Sequence, residues 1–413
     1  MDAHRCGPWR GTQLACLVLL AIALAGCGSS AGRSAPPSSK PSPATQTLRG
    51  NSLVNLDFVT LTQGWAVTQT MGGINSLWHT SNGGRTWANV TPPGANRSGA
   101  SLVAGTDPPI RGEAFLTASE AWVPILTAGS NLYSDRDTVY FTADAGARWT
   151  AVSSVSGGGS QLTFLNSKDG FDVVAGGVAA GSSSMRLWAT TNGGRRWQAV
   201  ASAGPGGPAT DGLYPGCDKT GAGWASPKVG WLGGFCSGGR ALYFYRTTDG
   251  GVSWAAQTLP LPPGVPTQDV SDCMCGTTPP EFFGSSNGVE QVSFYPPQTP
   301  TQFVYTTTSG GQQWQPTRVP TGATTVDFTS FADWVAVKGE QVTWTTNSGG
   351  QWFTVASTAD LQGAISDFVT ADIGWAVTSP AGPHPELIQT TDAGRHWSVR
   401  EFPQSLGTAA VSP

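Results

Sequence analysis

The chain has 413 residues, of which only 12% are charged, with 55 Gly, 30 Pro and 17 Trp. That composition leaves little material for long helices and suits many short strands with tight turns. Lys and Arg number 22 against 26 Asp and Glu, and no basic tract interrupts the chain, which argues against nucleic acid and electrostatic membrane docking as partners.

Residues 1–27 read as a targeting segment. Arg5 and Arg10 give a positive start, and Leu14 to Leu24 form an apolar run too short to persist as a membrane-spanning helix. The run ends in Leu24-Ala25-Gly26-Cys27, which closely resembles a bacterial lipoprotein signal. The resemblance implies lipidation of Cys27 and a mature protein outside the cytoplasm, anchored to the cell membrane by its N-terminal lipid. Residues 28–50 are rich in Ser, Pro and Ala and read as a disordered linker.

From residue 51 onward one octet recurs seven times: TSNGGRTW (80–87), TADAGARW (142–149), TTNGGRRW (190–197), TTDGGVSW (247–254), TTSGGQQW (307–314), TTNSGGQW (345–352) and TTDAGRHW (390–397). Each reads Thr, any residue, Asp or Asn, any residue, Gly, two variable residues, Trp. The fixed positions are Asn82 and Trp87, Asp144 and Trp149, Asn192 and Trp197, Asp249 and Trp254, Trp314, Asn347 and Trp352, and Asp392 and Trp397. Only the fifth copy departs, with Ser309 at the acid or amide position. The chemistry is that of a hairpin turn. The acid or amide folds back onto following N–H groups, Thr adds a hydroxyl bond, and Gly accepts positive φ.

This octet resembles the Asp-box, or BNR repeat, of sialidases, xyloglucan-active glycosidases, sortilin-type receptor domains and photosystem II stability/assembly factors. In those families the box is a structural turn between the third and fourth strands of a propeller blade. The resemblance implies a fold and leaves function open.

A second motif precedes each octet: an aromatic residue, then six residues on Gly or Ala, then another aromatic. It is complete at Phe58/Gly64-Trp65, Phe115/Ala121-Trp122, Phe164/Gly170-Phe171, Trp224/Gly230-Trp231 and Phe368/Gly374-Trp375. Phe282/Gly288 lacks the second aromatic, and Phe328/Trp334 is one residue short. Two short strands joined by a polar turn explain the spacing. A third strand leads into each octet and a fourth leaves it, so the expected fold is all-β, a seven-bladed β-propeller over residues 51–413. The segment from Thr47 to Leu53 is a candidate edge strand for closing the ring on the last blade. All Trp except Trp9 fall in octets or strands, which assigns them to packing between blades and weakens a sugar-binding reading.

In such a ring the octets share one face with the turns between first and second strands. The opposite face receives the long insertions, Thr91 to Gly112, Pro124 to Asp137, Ala201 to Ala222 and Pro260 to Pro280, and is the expected binding face. Beyond Cys6, Cys16 and Cys27 there remain Cys217, Cys236, Cys273 and Cys275, all projecting to that face. An even number in an exported chain points to two disulfides, for which three pairings are open; a Cys273–Cys275 bridge would be tight, and cross-links between the two cysteine-bearing loops are favoured. With no His near them in sequence, no metal is expected.

Before the first-strand aromatic stand Asp57, Glu281, Asp327 and Asp367. Either each bonds neighbouring backbone, or together they form an arc near the central channel that holds a cation or basic segment. The repeats look most like the photosystem II stability/assembly factor family. That implies a non-catalytic, cofactor-free scaffold for an unidentified protein or envelope-polymer partner. The alternatives are a sialidase-like glycoside hydrolase and a surface receptor or adhesin. An Arg-Ile-Pro motif is missing ahead of Thr80. On the loop face Asp107, Glu113, Asp135, Asp137, Asp211, Asp218, Asp269 and Asp272 show no pairing in sequence.

Overall fold

The computed structural model describes residues 52–69, 75–95, 112–127, 136–156, 160–179, 181–205, 209–236, 242–265, 274–295, 301–320, 325–378 and 385–402. The expected targeting segment, Cys27 and the linker lie outside these residues, as does Cys273. Among the described residues every regular element is a strand, and there is no helix.

The strands form consecutive antiparallel meanders, numbered here in chain order. Separate four-stranded sheets lie within residues 52–89, 114–156, 162–203, 325–356 and 365–400 (first, second, third, sixth and seventh). The fourth meander, 218–256, and the fifth, 281–318, are joined by the strand Met274–Thr277 into one nine-stranded sheet. Second strands are covered on both sides: Gly230–Cys236 is buried at six of its seven positions. Fourth strands are the opposite, and Ala88–Asn89 and Ala255–Ala256 are wholly exposed.

Each sheet is built from contiguous chain. Ser52 and Leu53 pair with Gln69 and Thr68 inside the first sheet, while residues 47–51 of the expected edge strand lie outside the described residues. The first and seventh meanders meet through side chains. The Phe58 N–H donates to Asp367, and Phe402 lies against Trp78 and Trp87 with ring centroids 5.5 and 5.2 Å away.

The recurrent contact between meanders is a flat aromatic pair. The second-strand ring of one meander lies on the first-strand ring of the next. Trp375 stacks on Phe58 (3.6 Å, 7°), Trp65 on Phe115 (5.0 Å, 5°), Trp122 on Phe164 (3.8 Å, 9°), Phe171 on Trp224 (3.4 Å, 4°) and Trp231 on Phe282 (4.9 Å, 20°). Each pair is worth about 0.5–1.5 kcal/mol beyond the area it buries. The glycine before the second aromatic follows from the same geometry, because the first-strand ring of its own meander lies over it. A Cβ at Gly374 would come within 2.5 Å of Phe368, and one at Gly230 within 2.3 Å of Trp224.

The two imperfect copies of this motif compensate each other. The fifth meander has Val289 in the aromatic slot, leaving room beside Phe328 of the sixth. There the register pairs Phe328 with Trp334, so Trp334 occupies the glycine slot and not the aromatic one. Its ring turns back to pack with Val289, Val304 and Val319, edge-on to Phe328 at 5.6 Å. The missing residue thus reverses the side that the tryptophan faces.

Trp375 also donates its indole N–H to Gly83 O across the junction of the first and seventh meanders, at 3.2 Å. Trp375→Ala therefore removes a stack and a buried bond together, and should cost about 3–5 kcal/mol in urea denaturation. Trp375→Phe, which keeps the stack, should cost only about 1–2 kcal/mol.

Candidate binding face

One end of the meanders is closed by its own turns. In every octet the Thr hydroxyl accepts from the Gly N–H four residues on, at 2.9–3.1 Å. The acid, amide or Ser oxygen accepts from the N–H four residues beyond itself, at 2.8–3.0 Å. Ser309 does so as well, through its hydroxyl to Gln313, so the departing copy keeps the turn. Each copy has two successive residues at positive φ; the second is always Gly, and the first is Gly in four copies and Ala145, Ser348 or Ala393 in the other three. These bonds keep the octet acids ionised. Ser253 holds Asp249 down at about 2, His396 does the same for Asp392, and Arg148 lowers Asp144.

Each octet is tied to the turn between the first and second strands of its own meander. The bonds run from Gly83 to Thr62, Ala145 to Ser119, Gly193 to Lys168, Gly250 to Lys228, Gly310 to Ser286, Ser348 to Ala332 and Ala393 to Asp372, all at 2.9–3.0 Å. The octets and these turns therefore share one end, and the remaining links start from the other. The polar groups of the octets are engaged in the turn itself.

At the other end the fourth meander is fastened. Cys217, just before its first strand, is disulfide-bonded to Cys236 at the end of its second. The expected cross-link between the two cysteine-bearing loops is corrected for this pair: the bridge stays within one meander, because its first two strands pair antiparallel and bring Asp218 opposite Phe235. Cys275, also disulfide-bonded, lies opposite Cys236 in the joining strand.

Lys219 completes the fastening. Its ammonium reaches the carbonyls of Ser183, Pro215, Gly216 and Cys217 at 2.7–2.9 Å and lies 5.4 Å from the centre of the Tyr243 ring. Burial lowers its pKa to about 8, while Asp218 acts in the opposite direction. Tyr243 donates its hydroxyl to Tyr214 O at 3.0 Å. The Thr277 hydroxyl accepts from Gly234 N–H and donates to Tyr243 O, which pins the joining strand.

The insertion 201–222 is less free than its length suggests. Its ends are strand, and Asp211 and Gly212 turn along the rim against Trp254, whose N–H donates to Asp211 O at 3.2 Å. Residues 214–217 are the part left at the fastened end. Of the insertions 91–112, 124–137 and 260–280, only parts are described, and Asp107, Asp135, Asp269 and Asp272 lie outside.

The four acids before the first-strand aromatics are half-buried or buried. Asp327 accepts from the Ser366 hydroxyl of the seventh meander at 2.8 Å, and Asp367 accepts from Phe58 of the first. These two act as bonds from one meander to the next, as does Glu113, which receives the Asn55 amide. Among the described residues no group of three or more His, Cys, Asp or Glu is arranged to hold a metal ion.

Two acids stand out that the motif reading passed over. In the second strands, the residue after the aromatic slot is Ala66, Val123, Leu232, Ala336 or Ala376, but Asp172 in the third meander and Glu290 in the fifth. Asp172 is wholly buried with Asp137, and both contact the Ser160 hydroxyl, at 3.0 and 2.6 Å. A hydroxyl has one proton, so it cannot donate to two carboxylates at once. The arrangement closes when Ser160 donates to Asp137 and a protonated Asp172 donates to Ser160. Burial and the neighbouring Asp137 raise Asp172 to about 8, in accord with that count. Glu290 is likewise wholly buried, with neither carboxyl oxygen bonded, and burial raises its pKa well above the usual range. Neither acid is open to solvent.

No protein-family model matches the sequence, and no curated protein does. Among solved structures the chain is similar to YCF48 bound to D1 peptide, with 14% identity over 80% of this chain and 91% of that one, TM-score 0.44. It is similar to a GH74 xyloglucanase from Xanthomonas campestris, with 16% identity over 81% and 62%, TM-score 0.33. It is also similar to an α-L-arabinanase of Penicillium chrysogenum complexed with arabinobiose, with 12% identity over 72% and 94%, TM-score 0.40. Likeness of this depth assigns no activity.

Because Asp172 holds a proton in the folded chain and loses it near pH 4 when unfolded, the folded state binds the extra proton between about 4 and 8. Its contribution to stability is therefore present at acid pH and lost as pH rises through that window. Thermal midpoints should fall from pH 5 to pH 8, and Asp172→Asn should flatten the fall.

Proposed function

We propose that the chain is a seven-bladed β-propeller with Asp-box turns, carried outside the cytoplasm on a lipidated Cys27. There it serves as a binding scaffold for a protein or envelope-polymer complex. The observation that carries this reading is the fastened end of the fourth meander. The Cys217–Cys236 bridge and the four-carbonyl clamp of Lys219 fix residues 214–217 in one conformation on the face away from the octets. A surface ordered before it meets a partner loses less conformational entropy on binding. The repeats support the same reading through their resemblance to photosystem II stability/assembly factors. A hydrolase would need two acids within reach of a substrate. The acids that the fold pairs here, Asp137 and Asp172, are interior.

Cross-linking capture from native membranes tests the reading. The intact protein should retain a specific envelope partner, and a variant with residues 212–216 replaced by a short Gly-Ser turn should lose it while remaining folded. Equal capture by both would refute the assignment to this face. Cys27→Ala should move the protein from the membrane to the soluble fraction, and unchanged membrane association would refute the lipid anchor. Cys217→Ser should remove about 3 kcal/mol from the unfolding free energy, as expected for a bridge between cysteines 19 residues apart.

A further inference from the structure

At the octet end a cavity lies at the junction of the fourth and fifth meanders. It has a volume of about 270 Å³, and its wall includes Ser226, Arg246, Ser285, Ser286, Ser309 and Gln312. No acid lines it. We propose that this cavity is a binding site for a tetrahedral oxyanion, either inorganic phosphate or a phosphate monoester.

Arg246 is the first support. Among the seven residues paired across from the second-strand aromatic slot, His79, Phe141, Ala189, Arg246, Thr306, Trp344 and Gln389, it is the one permanent charge. Its guanidinium lies 5.5 Å from the centre of the Trp231 ring, and its Nε is buried without a hydrogen-bond partner. Among the described residues it takes part in no ion pair. Arg246 lines the cavity, and a guanidinium fork is suited to two oxygens of one anion.

Ser309 is the second, independent support. The single octet without Asp or Asn is the one whose variable position lines this cavity. Its hydroxyl takes over the turn bond from Gln313 N–H at 3.0 Å, so the fold is kept while the carboxylate or amide that the repeat would put at the wall is gone. Ser226, across the cavity, accepts from Val229 N–H at 3.1 Å and keeps its own proton to donate. Donor-bearing side chains of two meanders thus line the cavity. A tetrahedral anion has enough oxygens to meet them, where a carboxylate has two. The space exceeds a bare phosphate and admits a small ester group.

The test is isothermal titration calorimetry of the folded protein with inorganic phosphate and, separately, with glycerol phosphate. The wild type should show saturable binding of at least one probe with one site per chain. Preference for the ester identifies an esterified ligand, and equal affinity a free anion. Arg246→Gln and Ser309→Asp should each weaken binding at least about tenfold. Ser309→Asp restores the acid of the other octets and should leave the thermal midpoint at or above the wild-type value, so loss of binding there is not loss of fold. Absence of saturable binding of both probes to the wild type, or wild-type affinity in Ser309→Asp, overturns the proposal. Either result leaves the reading of the opposite face untouched.

Discussion

The contact on which the rest depends is the flat pair of rings between successive meanders. A second-strand aromatic lying on the first-strand aromatic of the next sheet fixes both the spacing and the facing of the two sheets. From that pair the neighbouring residues follow. The position before the ring must be Gly or Ala, since the sheet's own first ring covers it. The indole N–H of Trp122 and of Trp375 then reaches the octet of the next meander, at Gly193 O and Gly83 O. At the fourth meander the same reach is spanned by a side chain: Trp231 donates to Gln257, whose amide donates to Gly311 O. Packing and octet placement are thus one arrangement, and the octets line up at one end because the rings do.

Departures from the repeat gather in the third to sixth meanders. Asp172 and Glu290 place protons where the other sheets place methyl groups. Val289 and Trp334 exchange a ring across one junction. Thr277 stitches the fourth and fifth meanders into a single sheet, and Arg246 with Ser309 puts an unpaired cation beside a missing acid. A repeat tolerates such substitutions only where neighbours absorb them, as Trp334 does for Val289 and as the Ser309 hydroxyl does for its turn. Positions freed from the shared pattern in this way are those available for chemistry of their own.

Much of this was legible in the sequence. The all-β class, the octet turns and the pairing of first and second strands follow from local residue types at short spacing, where Thr, Asp or Asn, and Gly have few alternatives. What the octets could not reveal was long-range. The Cys217–Cys236 bridge depends on the register of two strands that only the fold aligns, and the octets say nothing of Lys219 gathering four carbonyls. Asp172 and Glu290 were visible as acids in a slot otherwise filled by Ala, Val and Leu, but attention to the residue before the first aromatic passed over the one after the second. The shortened sixth motif was visible too. Its meaning needed the backbone register, because one residue of shift sends a strand's side chains to the opposite face.

Among the described residues every sheet but the nine-stranded one is made from a single uninterrupted length of chain, and the first and last meet without sharing a strand. Pulled from its two ends, a molecule so built is held at the seam where Phe58 meets Trp375 by ring stacking and a few hydrogen bonds. It should yield there first and then release chain one sheet at a time. The fourth and fifth meanders are the exception. Bound through Met274–Thr277, they should release together, as one mechanical body built from two copies of the repeat.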